Sequence, residues 1–389
     1  MTFSARARFP SAPNRLSRLV DEKRRGGARV LDLTESNPTR VGIAYPPDLL
    51  LPFAGAFNLV YEPEPLGLPE ARRAVADDHA RRGSAVSPDR VVLCASTSEA
   101  YAFLFKLLLD PGDSVLVPRP SYPLFESLAQ LEGARAEFYD LEYDGEWHLS
   151  LSRLRERIGE GTRALCVVNP NNPTGSFLKR DEAEGLLALC AEHGLAIVSD
   201  EVFADYGFGS DARRVTSLAG EDRDALVFSL GGLSKSCGLP QLKLGWIAAF
   251  GPQALRSEAL RRLELIADSY LSVATPVQRA AKSLLARLPE LQAPIQARVA
   301  ANLGLLERKA RGAHFTLLRA EGGWYAVLRV PRTVSEEERV LRLLERDDVL
   351  VHPGFFFDFP EEAYLVLSLL PREDDFARGV EAIARELEA

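Results

Sequence analysis

RALCVVNPNNPTG, residues 163–175, joins an apolar run to a loop. Arg163–Val168 reads as a strand buried on both faces, because no polar residue alternates with its apolar ones. Pro170, Pro173 and Gly175 then force the chain into a loop. The same pattern recurs along the chain. Strands are expected at Arg90–Ala95, Ser114–Pro118, Leu195–Ser199, Ala225–Leu230 and Leu244–Phe250, with amphipathic helical stretches such as Glu99–Leu109 and Asp181–His193 between them. Continuous apolar strands alternating with helices give an α/β fold, a mostly parallel sheet covered by helices on both faces. After Ser272 the texture changes. A long helical run over Pro276–Arg311 precedes strand-like pieces at Trp324–Val330 and Tyr364–Leu369, with a helix over Val334–Arg346 between them. The expected division is an arm and part of a small domain in residues 1–45, a large domain in 46–272, and a smaller α+β domain in 273–389.

A chain of 389 residues has room for two domains and a large core. Its net charge of -8 argues against nucleic acid or an anionic membrane surface as the main partner, but not against a small anion held by local geometry. Cys94, Cys166, Cys190 and Cys237 form no CxxC pair and no zinc-like cluster with histidine, so no metal is expected. Cys94 and Cys166 lie in apolar runs as small buried hydrophobes, which fits a reducing cytoplasm. Met1–Pro10 carries arginines without an apolar core, and no apolar stretch approaches membrane-spanning length, so neither a secretory signal nor a membrane helix is expected.

Four elements carry the chemistry. Ser96, Thr97 and Ser98 follow a strand and open a helix, where free N–H groups, hydroxyls and the helix dipole suit a phosphate; plain N-capping is the simpler use of the same residues. Asn169–Gly175 is a loop at a strand's carboxyl end, where α/β folds place ligands. Asp200 and Glu201 end another buried strand, a costly place for carboxylates unless a cation pairs with them. Lys235 stands in a Ser234-Lys235-Ser236 turn after a fourth strand, where a partly desolvated lysine can act as a nucleophile. The turn is not a phosphate-binding P-loop, which needs glycine directly before the lysine.

In this order and spacing, the four elements resemble the pyridoxal-phosphate (PLP) dependent aminotransferases of the aspartate aminotransferase fold (fold type I, classes I and II), from about residue 30 to the C-terminus. The resemblance implies a transaminase that moves an amino group between an amino acid and a 2-oxo acid. Lys235 would carry PLP as a Schiff base and shuttle the proton. Asp200 would keep the pyridine nitrogen protonated, Asn172 would donate to the ring oxygen, and Tyr122 would stack on the ring. Ser96, Thr97 and Ser98 match the phosphate turn, and Ser234 adjoins the lysine. Tyr61, in YEPEPLG, matches a tyrosine that reaches the phosphate of a neighbouring subunit, which implies a homodimer with shared active sites. His352–Gly354 matches a loop near the substrate.

Three residues depart from the family pattern. Phe203 stands where a tyrosine usually reaches the ring oxygen. Lys243 stands where an arginine usually grips the phosphate, keeping the charge without the bidentate fork. Val366 stands where an arginine usually binds the substrate carboxylate, which keeps a PLP-dependent lyase or decarboxylase open as the alternative activity. Arg372 is six residues downstream, roughly 20 Å along a strand, too far for a side chain to return. Arg40, after ESNPT, is therefore the candidate for that carboxylate, with Asn172 assisting. His79, His148 and His193 are read as structural or surface residues; Trp324, in GGWY, lies where the resembled family's small domain approaches the active site, with packing as its simpler use. Tyr206 is a weak candidate to replace the missing phenol.

Overall fold

The computed structural model describes residues 3–9, 12–220 and 224–388. The N-terminal reading over Met1–Pro10 falls partly outside these residues. Eight strands form the main sheet, in the spatial order Val91–Cys94, Gly245–Phe250, Val227–Gly232, Ala196–Asp200, Thr162–Val168, Ser114–Arg119, Arg135–Tyr143 and Trp147–Leu149. The five strands from Val227–Gly232 to Arg135–Tyr143 run parallel. Gly245–Phe250 is antiparallel to both its neighbours, and Trp147–Leu149 is antiparallel at the other edge.

The expected burial on both faces holds residue by residue. Ala164, Cys166 and Val168 pack into one apolar cluster, while Leu165 and Val167 pack into another on the opposite face. Period-two side chains that are apolar at every position need cover on both sides, and helices such as Thr97–Leu108 and Arg180–His193 provide it. Full burial of one such Leu or Val contributes about 1.5–3 kcal/mol.

Two stretches differ from the sequence reading. Arg135–Tyr143 is a nine-residue strand that was not expected. Its mixture of charged and apolar residues reflects a position near the sheet edge, where most of its side chains are only half-buried. The run Pro276–Arg311 is two helices, Thr275–Ala286 and Leu288–Ala310, separated at Arg287. Pro289 lies in the first turn of the second helix, a position that needs no N–H donor, so the break falls just before it.

A second, antiparallel sheet has the order Thr316–Leu317, Tyr325–Arg329, Tyr364–Ser368, His352–Pro353. The N-terminal segment joins this part of the chain through the parallel pairing of Leu31–Asp32 with Val349–Leu350. The loop before Tyr325 fastens the two sheets together. Glu321, 1% exposed, pairs with Lys179 at 2.5 Å and with Arg214 at 2.9 Å, and accepts the Phe177 N–H. Glu321 also donates its own N–H to the Gly175 carbonyl at 3.1 Å. Gly175 has φ +72°, and a Cβ on it would lie 2.4 Å from the Gly322 carbonyl oxygen. Glycine there is thus required by both conformation and space.

Candidate active site

Val91–Cys94 is antiparallel to Gly245–Phe250, which is antiparallel to Val227–Gly232. It therefore ends on the same sheet edge as the parallel strands. That edge brings all four chemical elements around one cavity of about 330 Å³, within the range of roughly 300–1,000 Å³ common for small-molecule sites. Ser96, Thr97, Ser98, Tyr122, Asn172, Asp200, Ser234, Lys235 and Lys243 all line it.

At one end, Ser96 caps the helix Thr97–Leu108, its Oγ accepting the Glu99 N–H at 3.2 Å while Glu99 reaches back to the Ala95 N–H. The two bonds, one on Ser96 and one on the residue before it, fix the turn. Gly245 lies behind it, where a Cβ would sit 3.0 Å from the Ser96 carbonyl carbon and 3.2 Å from the Thr97 nitrogen. A side chain there would push the turn into the cavity. Lys243, in the left-handed conformation at φ 51°, brings a cation to the same space two residues before that glycine.

On the opposite side, Asp200 accepts the Tyr101 hydroxyl at 3.1 Å on Oδ2 and the Val202 N–H at 3.2 Å on Oδ1. Burial raises its pKa to about 6 against the pull of these two bonds. Its neighbour Glu201 points to the other face of the strand. There it accepts the Ser199, Ser217 and Ser229 hydroxyls and the Leu218 N–H, at 2.6–2.9 Å. Of the two carboxylates, Asp200 is the one facing a cavity.

Lys235 occupies the short turn after Val227–Gly232. Burial lowers the pKa of its amine to about 8, with the Asp200 charge opposing. Among the described residues, Nζ makes no side-chain hydrogen bond; it stands 5.4 Å from the Phe203 ring and 5.1 Å from the Trp324 ring. Asn172 Oδ1 is buried without a hydrogen-bond partner, which is rare for a buried polar atom unless a further group completes the site.

These residues fit PLP part by part. The hydroxyl turn and Lys243 suit a phosphate, Asp200 suits a protonated ring nitrogen, the Nδ2 donor of the cavity-lining Asn172 amide suits a ring oxygen, and Lys235 suits an aldehyde. No group of acidic, histidine or cysteine side chains able to hold a metal is found among the described residues.

Two expected residues lie elsewhere. Tyr61 is 73% exposed, outside the cavity lining. Arg40 is also outside it, facing solvent 3.9 Å from Glu35. The Asn37 side chain takes the Thr39 N–H and the Asn37 carbonyl takes the Arg40 N–H, a turn that leaves Ser36 on the cavity and carries Arg40 away. Val366 is fully buried between Val327 and His352. Arg372 lies beside Gly42, outside the lining.

Sequence reasoning missed Ser36, Tyr101, Tyr325 and the contact of Trp324 with Lys235. Tyr101 was findable, since it is four residues and one helical turn beyond Thr97. The other three arrive from distant segments, and no local pattern marks them.

The model of the family "aminotransferase class I and II" matches residues 60–383. The chain is 30% identical over 382 residues to an alanine aminotransferase of Mycobacterium tuberculosis, covering 93% of this chain and 86% of that protein. It is 26% identical over 381 residues to the glutamate-pyruvate aminotransferase AlaA of Escherichia coli, covering 93% and 91%. Among solved structures, an alanine aminotransferase from Pyrococcus furiosus superposes with a TM-score of 0.88 at 24% identity, over all of both chains. A Thermus thermophilus aspartate aminotransferase mutant gives 0.85 at 23%, also over both whole chains.

Proposed function

Since this chain belongs to the class I and II aminotransferases and transfers amino groups with pyridoxal phosphate, we propose that its amino donor is a small amino acid such as alanine and that Lys235 is the residue that carries the cofactor. The printed activities of the relatives support the donor. The observation that carries the site assignment is the meeting of Lys235, Asp200, Asn172 and the Ser96–Ser98 turn around one cavity.

When bound, PLP supplies an electron sink for the charge left on the substrate carbon. The chain's own residues do the rest. Asp200 would be the counter-ion that keeps a proton on the ring nitrogen, and Tyr101 and Val202 fix the orientation of that carboxylate. Asn172 donates to the ring oxygen. Ser96, Thr97, Ser98 and Lys243 would hold the phosphate, and Tyr122, which lines the same cavity, would cover the ring. Lys235 Nζ would be the base that takes the proton from the substrate α-carbon and holds it for return. Ser36, Tyr325 and Asn172, which line the cavity, would face the substrate carboxylate, whereas Arg40 lies outside the lining on the loop that carries Ser36.

Tyr61 serves the phosphate of a second subunit. Its exposure, with that of Leu50, Leu51, Phe57, Leu59 and Val60 in the same segment, supports a homodimer. The N-terminal arm (1–45) and residues 273–389 form one domain over a PLP-binding domain of 46–272, in a cytoplasmic enzyme whose four cysteines stay reduced. The test is single-turnover conversion of the bound cofactor by a panel of amino acids, followed by absorbance. Alanine and other small donors should convert it. Failure of every free amino acid would overturn the donor assignment.

A further inference from the structure

Lys235 is held at both ends by aromatic rings. The Tyr206 hydroxyl donates to its backbone carbonyl at 2.8 Å. Its amine stands against Phe203 and Trp324. The three rings pack on one another, with Trp324 edge-on to Phe203 at 5.2 Å and 75° and to Tyr206 at 5.0 Å and 74°. Phe203 and Tyr206 follow the strand that ends in Asp200. Trp324 comes from the loop that leads into the second sheet, and it is completely buried. The indole N–H has no hydrogen-bond partner, so ring packing and backbone contacts hold this side chain in place. The backbone contacts are many: Gly323 N–H to the Tyr206 carbonyl at 2.9 Å, Phe208 N–H to the Glu321 carbonyl at 2.7 Å, and Leu369 N–H to the Trp324 carbonyl at 2.7 Å. Glu321, three residues before Trp324, is the carboxylate clamped by Lys179 and Arg214.

We propose that Trp324 is a positioning residue for amino transfer: held by the Glu321 clamp, its ring closes a dry aromatic slot around Lys235 Nζ and keeps that amine aimed into the cavity as a usable base. The proposal rests on Lys235 being the cofactor-bearing lysine. Two effects of the rings oppose each other. An aromatic face attracts an ammonium ion, whereas the exclusion of water disfavours one. Exclusion wins here, because burial is the leading cause that brings the amine to about 8 while the Asp200 charge pulls the other way. Against the ordinary 10.5, that raises the free-base fraction near neutrality by roughly two orders of magnitude. The charged groups sharing the cavity are Asp200 and Lys243. Tyr122 and Tyr325 also line it, Tyr101 lies behind Asp200, and Tyr206 lies behind the lysine backbone. Substituting Trp324 removes none of these groups.

The experiment titrates Lys235 in the full-length protein freed of PLP, by its rate of acylation with acetic anhydride across pH, read by peptide mass spectrometry. The wild-type midpoint should lie near 8. In Trp324→Ala it should rise by about one unit or more as water enters, an approximately tenfold loss of free base at neutral pH. Trp324→Phe keeps a ring wall and should stay within about half a unit of wild type. Should the alanine variant fail to fold, Trp324→Gln carries a hydrated amide into the slot and must also raise the midpoint. An unmoved midpoint in a folded Ala or Gln variant, or an equal rise in the Phe variant, overturns the proposal. Borohydride trapping of PLP followed by peptide mapping tests the underlying assignment separately. Label on a lysine other than Lys235 would remove that assignment, whatever the titration shows.

Discussion

Lys179 and Lys235 are lysines withdrawn from bulk water, each near a buried carboxylate, and each meets the short loop 321–324. They differ in what that loop offers. Lys179 Nζ donates to Glu321 Oε2 at 2.5 Å and to the Phe177 carbonyl at 2.9 Å, so it is tied down by hydrogen bonds. Lys235 receives the Trp324 ring and no hydrogen bond on Nζ from the described residues. A lysine saturated with acceptors acts as a strut, whereas one given aromatic walls and an open cavity is free to react. Through Glu321 and Trp324, three positions apart in its own sequence, one loop thus ties down a structural cation and walls the amine proposed to carry the cofactor.

The sharpest way to break this contrast is to delete the reactive partner. Lys235→Ala should cut amino transfer by at least about 10³-fold, near the upper range for a lost proton-transfer group, while the circular dichroism spectrum is retained. An ordinary rate in that variant would end the distinction. On the structural side, Glu321→Gln leaves Lys179 and Arg214 without their shared counter-charge. It should cost about 3–5 kcal/mol in urea unfolding at pH 7. A loss below about 1 kcal/mol would mean that the clamp behaves as an ordinary exposed pair.

Asp200 gives a third handle, through pH. Its folded pKa of about 6 is above the ordinary 3.8, so the PLP-free folded state holds this proton more tightly than the unfolded chain does. The sign is therefore opposite to that of a salt-bridged carboxylate. The relative stability is fully present below about pH 4 and is lost as pH rises through about 6. At about 1.4 kcal/mol per unit the loss is on the order of 2–3 kcal/mol. Asp200→Asn in the PLP-free protein should abolish that fall between pH 4 and 7, and in the loaded protein it should instead weaken retention of the cofactor. Urea midpoints at the two pH values check the first statement, and dialysis checks the second.

The smallest expected effect belongs to Phe203, the second wall of the slot. Phe203→Tyr returns a phenol that can donate to the ring oxygen. The midpoint of the loaded protein's visible-absorbance titration should fall by roughly half to one unit, the worth of one hydrogen bond. No change, or a rise, would show that the phenol does not reach the cavity.

These four handles were not equally legible in the sequence. Asp200, Asn172, Lys235 and the Ser96–Ser98 turn each follow an apolar strand within a few residues. A local pattern was enough to place them, and the shared sheet edge followed from the α/β alternation. Arg135–Tyr143 was lost because a sheet-edge strand mixes charge with apolar residues. For Trp324 the family resemblance gives nearness to the active site, but not the contact with Lys235. Nothing in GGWY reports that the loop crosses to the other sheet and touches a lysine 89 residues earlier in the chain. Arg40 was assigned from its charge and its loop, but the Asn37 turn that points it outward depends on hydrogen bonds that composition does not reveal.

The adjacent carboxylates Asp200 and Glu201 carry a further consequence. Successive residues at the end of a strand face opposite ways. Asp200 therefore looks into the cavity, while Glu201 gathers three serine hydroxyls and a backbone N–H behind it. A one-residue deletion or insertion within 196–200 would turn both side chains over together. The site would lose its acid, and the serine cluster would lose its acceptor, in one step. This strand can accept changes of residue far more readily than changes of length, and over generations it should drift in spelling while keeping its count.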